Sequence, residues 1–264
     1  MFAKLLKNEF RSVKRGLWPL TLAAILASAI GYIIILIGTT SLQINDFTLF
    51  QIISVLFPAG IVLLLVIYMI GSNIYLYIHF YKTKYTDEGY LTFTLPATTH
   101  QILLSSILNI IIWSAIITFT TFLGVLFMFS PLLLYLDSSF NFFKNLFQIF
   151  EYIEITPAII IYMILQAISS FCYSLILPIF SITVGSIVSS KHKLLVSFAV
   201  GYGISMIYNI IINIITITET IATDSFNSIM HIKASMFIVS IATIIISVIG
   251  YFVMHKLIKN KLNL

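Results

Sequence analysis

The sequence predicts an all-α, polytopic membrane protein with six transmembrane helices. Three observations carry this: a composition too apolar for water, six apolar runs of spanning length, and basic residues concentrated in alternate loops. Of 264 residues, 60% are hydrophobic and 9% charged, and the mean hydropathy is +1.08. A soluble domain carries about 25% charged residues, so most of this chain needs lipid as its solvent. The single cysteine, Cys172, excludes an intrachain disulfide and a cysteine-based metal cluster.

Residues 1–17 place Phe2, Leu5, Leu6, Phe10, Val13 and Leu17 at three-and-four spacing, with Lys4, Lys7, Arg11, Lys14 and Arg15 on the other side. That pattern predicts an amphipathic helix in the membrane interface, its basic residues toward anionic headgroups. The simpler alternative is a positive flank that only sets topology. The first span follows at about 18–38. A basic start, an apolar core and Ala27-Ser28-Ala29 have the outline of a signal peptide, but the run continues unbroken to Ile37, so the helix is read as retained. Ala24/Ser28 and Ala27/Gly31 are small pairs four apart, which admit a close neighbouring helix.

The second span, about 52–81, lies within a longer apolar run, Phe47–Tyr81. Such a run would reach about 52 Å against a hydrocarbon core of about 30 Å, so it kinks at Pro58 or projects beyond the membrane. Tyr75, Tyr77, Tyr81 and Tyr85 crowd its end like an aromatic belt. Thr98 followed by Gln101 is a capping-box pattern. It opens the third span, about 99–129, which Ser130-Pro131 is expected to end. Residues 131–155 are less apolar, and Phe143, Leu146, Phe147 and Phe150 share one helical face, which predicts an outer amphipathic segment. Thr156-Pro157 opens the fourth span, about 157–189, with Pro178 as an expected kink. A basic turn at Ser190–Lys193 leads to the fifth span, about 194–217. A short polar loop precedes the sixth, about 231–255, and Lys256, Lys259 and Lys261 follow. Residues 1–264 therefore read as a single transmembrane domain.

Six spans put both termini on one side. That side holds Lys4, Lys7, Arg11, Lys14, Arg15, Lys82, Lys84, Lys191, Lys193, Lys256, Lys259 and Lys261, leaving only Lys144 and Lys233 opposite. The positive-inside rule then predicts a multi-pass protein of the cytoplasmic membrane with both termini in the cytoplasm. The net charge of +5 is thus a topology signal, and no nucleic-acid partner is expected.

No acid, lysine or arginine lies in the central part of a span, where ion-coupled transporters usually need one. The five histidines are scattered, and both a Gly-x-Ser-x-Gly elbow and a P-loop are missing. No catalytic, metal or cofactor residue is therefore predicted on this chain. Asn73, Asn109, Gln166, Asn209 and Asn213 stand within spans. They can hydrogen-bond between helices or line a path, and packing is the preferred reading.

Between spans 2 and 3, residues 85–96 form a polar interruption. Thr86 can cap a short helix with Asp87 and Glu88 in its first turn, where the helix dipole favours them. Tyr90, Leu91, Phe93 and Leu95 then offer an apolar surface, and Pro96 stops the element. From the residues alone, this is either a docking element or a connector that packs its aromatics at the interface.

Asp87-Glu88-Gly89-Tyr90-Leu91, then Phe93-Thr94-Leu95-Pro96, then His100-Gln101-Ile102-Leu103-Leu104-Ser105 resembles the corresponding segment of ABC-2-type ABC transporter permeases, above all the small six-span permeases of Gram-positive bacteria. The motif covers about twenty residues. The resemblance implies that Asp87, Glu88, Gly89, Tyr90, Leu91, Phe93, Leu95 and Pro96 form a cytoplasmic coupling helix contacting a separate ABC ATP-binding subunit. ATP and magnesium would be bound there, and a second permease copy or paralogue would complete an exporter. The cargo would be hydrophobic or amphipathic: a drug, an antimicrobial peptide or a lipid-like molecule. Many relatives place outer re-entrant helices between spans 5 and 6, whereas here the larger outer element lies between spans 3 and 4, so no exit gate or substrate site is carried over. The competing readings are a membrane enzyme acting on lipid-linked substrates and a non-transporting immunity or sensory protein.

Overall fold

A computed structural model describes residues 2–41, 49–86, 89, 92, 94, 97–136, 157–189, 191–222 and 228–261, with no strand among them. Six long helices account for nearly all of these: α1 (Phe2–Ser41), α2 (Leu49–Tyr85), α3 (Thr99–Leu136), α4 (Pro157–Val188), α5 (Lys193–Ala222) and α6 (Ser228–Lys261). Each contains a stretch long and apolar enough to cross a membrane. Leu26, Leu63, Ile67, Phe198 and Phe252 are each more than half exposed. Such side chains are costly in water, at roughly 25 cal/mol per Å² of apolar surface, and at home in lipid.

The helices group into two compact units, one over Met1–His79 and Leu108–Ile149, the other over Phe80–Ile107 and Phe150–Leu264. In the first unit, Val13 and Leu17 of α1 are buried with Leu76 of α2 and with Trp113 and Ile117 of α3. A second cluster joins Ala24 and Ile35 to Ile61, Leu65 and Met128. The small residues of α1 act as predicted: a Cβ added to Gly124 would stand 3.3 Å from the Ser28 Cβ. In the second unit α4 packs against α5 and α6, and Leu175, Ile179, Ile182, Val239, Met254 and Ile258 are buried. A Cβ on Gly201 would meet Ser181 Oγ at 2.9 Å, so this glycine serves the close α4–α5 approach.

The helix bounds depart from expectation in three places. First, no break separates residues 1–17 from the span after them: α1 is one helix of 40 residues, about 60 Å long. Its start is amphipathic, with Lys4, Lys7, Arg11, Lys14 and Arg15 all exposed. Its apolar face, however, is covered by protein at its C-terminal half: Val13 and Leu17 are buried, and Phe10 stacks on Trp113 at 5.1 Å between ring centroids. Second, α3 does not stop at Ser130-Pro131 but runs to Leu136. Pro131 has no N–H to give the Phe127 carbonyl, and the Ser130 hydroxyl donates to that same carbonyl at 2.8 Å. Third, the basic tail continues α6, which carries Lys256 and Lys259 on its exposed surface. The outer amphipathic segment lies outside the described residues beyond its first helical positions in α3.

Candidate functional site

Residues 85–96 leave the end of α2 from a fixed root in the second unit. The Tyr85 hydroxyl donates to Thr183 Oγ1 of α4 at 2.8 Å. The Tyr85 carbonyl accepts from Lys193 Nζ, at the start of α5, at 3.2 Å. That carbonyl is one of the four a helix leaves unpaired at its C-terminus, where the dipole favours a cation. Lys193 has the opposite problem, since an ammonium suits its own helix N-terminus poorly, and the reach to α2 answers both needs. Tyr85, read as part of an aromatic belt, is thus held by protein, and Tyr75 packs beside the Val13–Trp113 cluster.

Past the root, the Thr86 hydroxyl does not turn forward as a cap but donates back to the Lys82 carbonyl. The Thr86 carbonyl instead accepts the Gly89 N–H at 2.8 Å. Gly89 is buried and helical, and a Cβ there would run into the Lys84 carbonyl, so the chain doubles back too tightly for any larger residue. The Thr92 hydroxyl donates to the Thr83 carbonyl at 3.1 Å, tying the segment again to the last turns of α2. Asp87, Glu88, Tyr90, Leu91, Phe93, Leu95 and Pro96 lie outside the described residues.

The segment closes as its capping box predicts. Gln101 N–H donates to Thr98 Oγ1 at 3.3 Å, and Thr98 N–H to Gln101 Oε1 at 3.4 Å. In the first turn of α3, His100 Nδ1 lies 2.6 Å from the Tyr251 hydroxyl of α6. The His100 and His255 rings meet edge to face at 6.0 Å. Both ends of the 85–96 segment are therefore tied to other helices of the unit, through Tyr85 and through His100. No group of three potential metal ligands occurs among the described residues.

The polar residues within the spans divide. Asn73 bridges α2 and α3 by accepting from Ser114 at 3.2 Å, while its own amide donates to the Met69 carbonyl. Gln166 bridges α4 and α6 by accepting from Ser240 at 2.6 Å. Both make the interhelical hydrogen bond that a packing role needs. Asn109 is buried, and its Oδ1 has no hydrogen-bond partner among the described residues. Asn209 and Asn213 are exposed on α5, and Asn209 donates to the Ser205 carbonyl of its own helix.

Sequence reasoning missed Thr183 and Tyr251, whose hydroxyls meet Tyr85 and His100. Neither stands in a motif, and a lone hydroxyl on an apolar helix carries no local signal. The chain matches no known family, no curated protein and no solved structure in the comparisons made.

Proposed function

We propose that this chain is the permease subunit of an ATP-driven ABC-2-type exporter, moving a hydrophobic or amphipathic substrate while a separate subunit hydrolyses ATP with magnesium. The observation that carries the reading is the double anchorage of Tyr85. A push on residues 85–96 would pass through the Thr183 and Lys193 contacts into α4 and α5, and through His100 into α6. Docking elements transmit force only when their roots are held, and this root is held by side chains of two other helices. The basic residues support the orientation. Lys82, Lys191, Lys256 and Lys259 are exposed near the helix ends that meet 85–96, as a cytoplasmic face requires. By the charge count along the sequence, Lys4, Lys7, Arg11, Lys14 and Arg15 belong to the same side of the membrane.

The test uses the full chain co-expressed with the product of a neighbouring ATP-binding reading frame. Replacing Asp87, Glu88 and Tyr90 together by alanine is expected to abolish co-purification or the stimulation of ATP hydrolysis by the permease. Unchanged assembly, stimulation and export in the triple variant would remove the coupling assignment.

A further inference from the structure

A cleft of about 530 Å³ lies between α1 and α2, lined wholly by residues of the first unit. Ala23, Ala24 and Ala27 leave it unfilled on one side and Gly71 on the other, and a Cβ added to Gly71 would meet nothing within 4 Å. Tyr68 and Ser72, one helical turn apart on α2, are part of its lining. Both hydroxyls are buried, and neither has a hydrogen-bond partner among the described residues. Ser72 is only 1% exposed. A serine or threonine in a helix ordinarily donates to the carbonyl three or four residues before it. Every other buried one that is described donates to such a carbonyl or, for Ser114, to Asn73. Ser72 alone does not.

Depth narrows what could satisfy these hydroxyls. Ser72 stands about 15 Å along the helix from Lys82, at the basic end of α2. That is half of a hydrocarbon core of about 30 Å. Acyl tails at this depth offer neither donor nor acceptor, and the polar oxygens of the bilayer's own lipids lie at its edge. No charged side chain lines the cleft among the described residues, so nothing there would hold an ion. Its volume falls within the range of about 300–1,000 Å³ that takes one small molecule. We propose that the cleft binds a single uncharged, lipid-dissolved molecule with an apolar body and a carbonyl oxygen. A carbonyl oxygen has two lone pairs, so one atom can accept from both Tyr68 and Ser72. This site does not depend on the ATPase reading.

Benzophenone fits that description and marks its own position, because ultraviolet light makes its carbonyl insert into neighbouring C–H bonds. With the full chain in lipid nanodiscs, adducts mapped by mass spectrometry are expected to saturate and to concentrate several-fold at residues 20–27 and 64–75. Gly71→Leu, which fills the cleft, should remove them. Tyr68→Phe combined with Ser72→Ala should raise the half-saturating concentration several-fold. Its thermal unfolding without benzophenone should be no lower than native, since the hydroxyls removed had no partner. Diphenylmethane, the same outline without the oxygen, should compete only weakly. If the double variant fails to fold, Gly71→Leu and diphenylmethane decide. Adducts spread evenly along the apolar helices, or indifferent to Gly71→Leu, would overturn the site, and full competition by diphenylmethane would overturn the role of the hydroxyls. In a Cys172→Ser background, labelling of Ser72→Cys by a membrane-impermeant thiol reagent would mean that water fills the cleft. Disulfide-linked dimers of that variant would mean that protein does. Either result would also overturn the proposal.

Discussion

The Tyr85 hydroxyl at the end of α2 donates to Thr183 Oγ1 in α4 across 2.8 Å, and Thr183 in turn donates to the Ile179 carbonyl at 2.9 Å. The pair is asymmetric, because Thr183 keeps a partner if Tyr85 is lost and the part-buried phenol does not if Thr183 is lost. Tyr85→Phe should cost about 0.5–1.5 kcal/mol, the ordinary worth of one such bond, whereas Thr183→Val should cost about 1–3 kcal/mol by stranding a polar group. The double variant should lose less than the sum of the two. Thermal unfolding of the purified chain in lipid nanodiscs measures all three. Additive losses would mean that the two hydroxyls do not act as a pair.

Glycine substitutions separate positions by what a Cβ would meet. At Gly89 it meets the Lys84 backbone, which cannot rotate away, whereas at Gly203 nothing lies within 4 Å. Gly89→Ala should disturb the turn out of α2 and be destabilising by more than about 1 kcal/mol, since the backbone itself must shift. Gly203→Ala sits inside α5 and should stabilise it by roughly 0.5–1 kcal/mol through helix propensity. Unfolding of the two variants in nanodiscs reads both signs. A neutral Gly89→Ala would mean that the segment relaxes freely.

The helices were legible because hydropathy alone marks them: each long apolar run in the sequence corresponds to one helix. Local chemistry was legible too, as at Thr98 and Gln101, where the box closes on itself within three residues. Periodicity along residues 2–17 reports that one face is apolar, but not whether lipid or Trp113 covers it. Proline at 131 forecasts a helix end because its missing N–H strands a carbonyl. The forecast fails when a neighbouring hydroxyl fills that gap. Contacts such as Tyr85–Thr183 depend on how helices distant in sequence are juxtaposed, and no local spacing encodes that.

Gln166 tests whether polar residues within spans serve packing. Ser240 Oγ lies 2.6 Å from both Gln166 Oε1 and the Met236 carbonyl, so Ser240 keeps a partner when Gln166 is removed. Gln166→Leu should therefore cost only about 0.6 kcal/mol, and at most about 1.7, the range for side-chain hydrogen bonds between membrane helices. On the exporter reading proposed above, substrate export should fall by no more than about three-fold, the shift in an equilibrium that about 0.6 kcal/mol makes. A loss of export by orders of magnitude with unchanged unfolding would place Gln166 on a substrate path.

Ser130 and Pro131 make the sharpest test of how α3 continues. With proline in place, the Phe127 carbonyl depends on the Ser130 hydroxyl. Ser130→Ala should leave that carbonyl unpaired where lipid offers no replacement, and such an orphan costs about 1–3 kcal/mol even by measures that allow relaxation. Pro131→Ala restores a backbone N–H aimed at the same carbonyl, which makes the serine redundant. The variant carrying both changes should then regain the stability that Ser130→Ala lost. Denaturant titration in mixed micelles, followed by circular dichroism, reads the four-variant cycle. A serine effect of equal size in the proline and alanine backgrounds would show that the hydroxyl does not stand in for the missing bond, and the continuity of α3 through Pro131 would then need another cause.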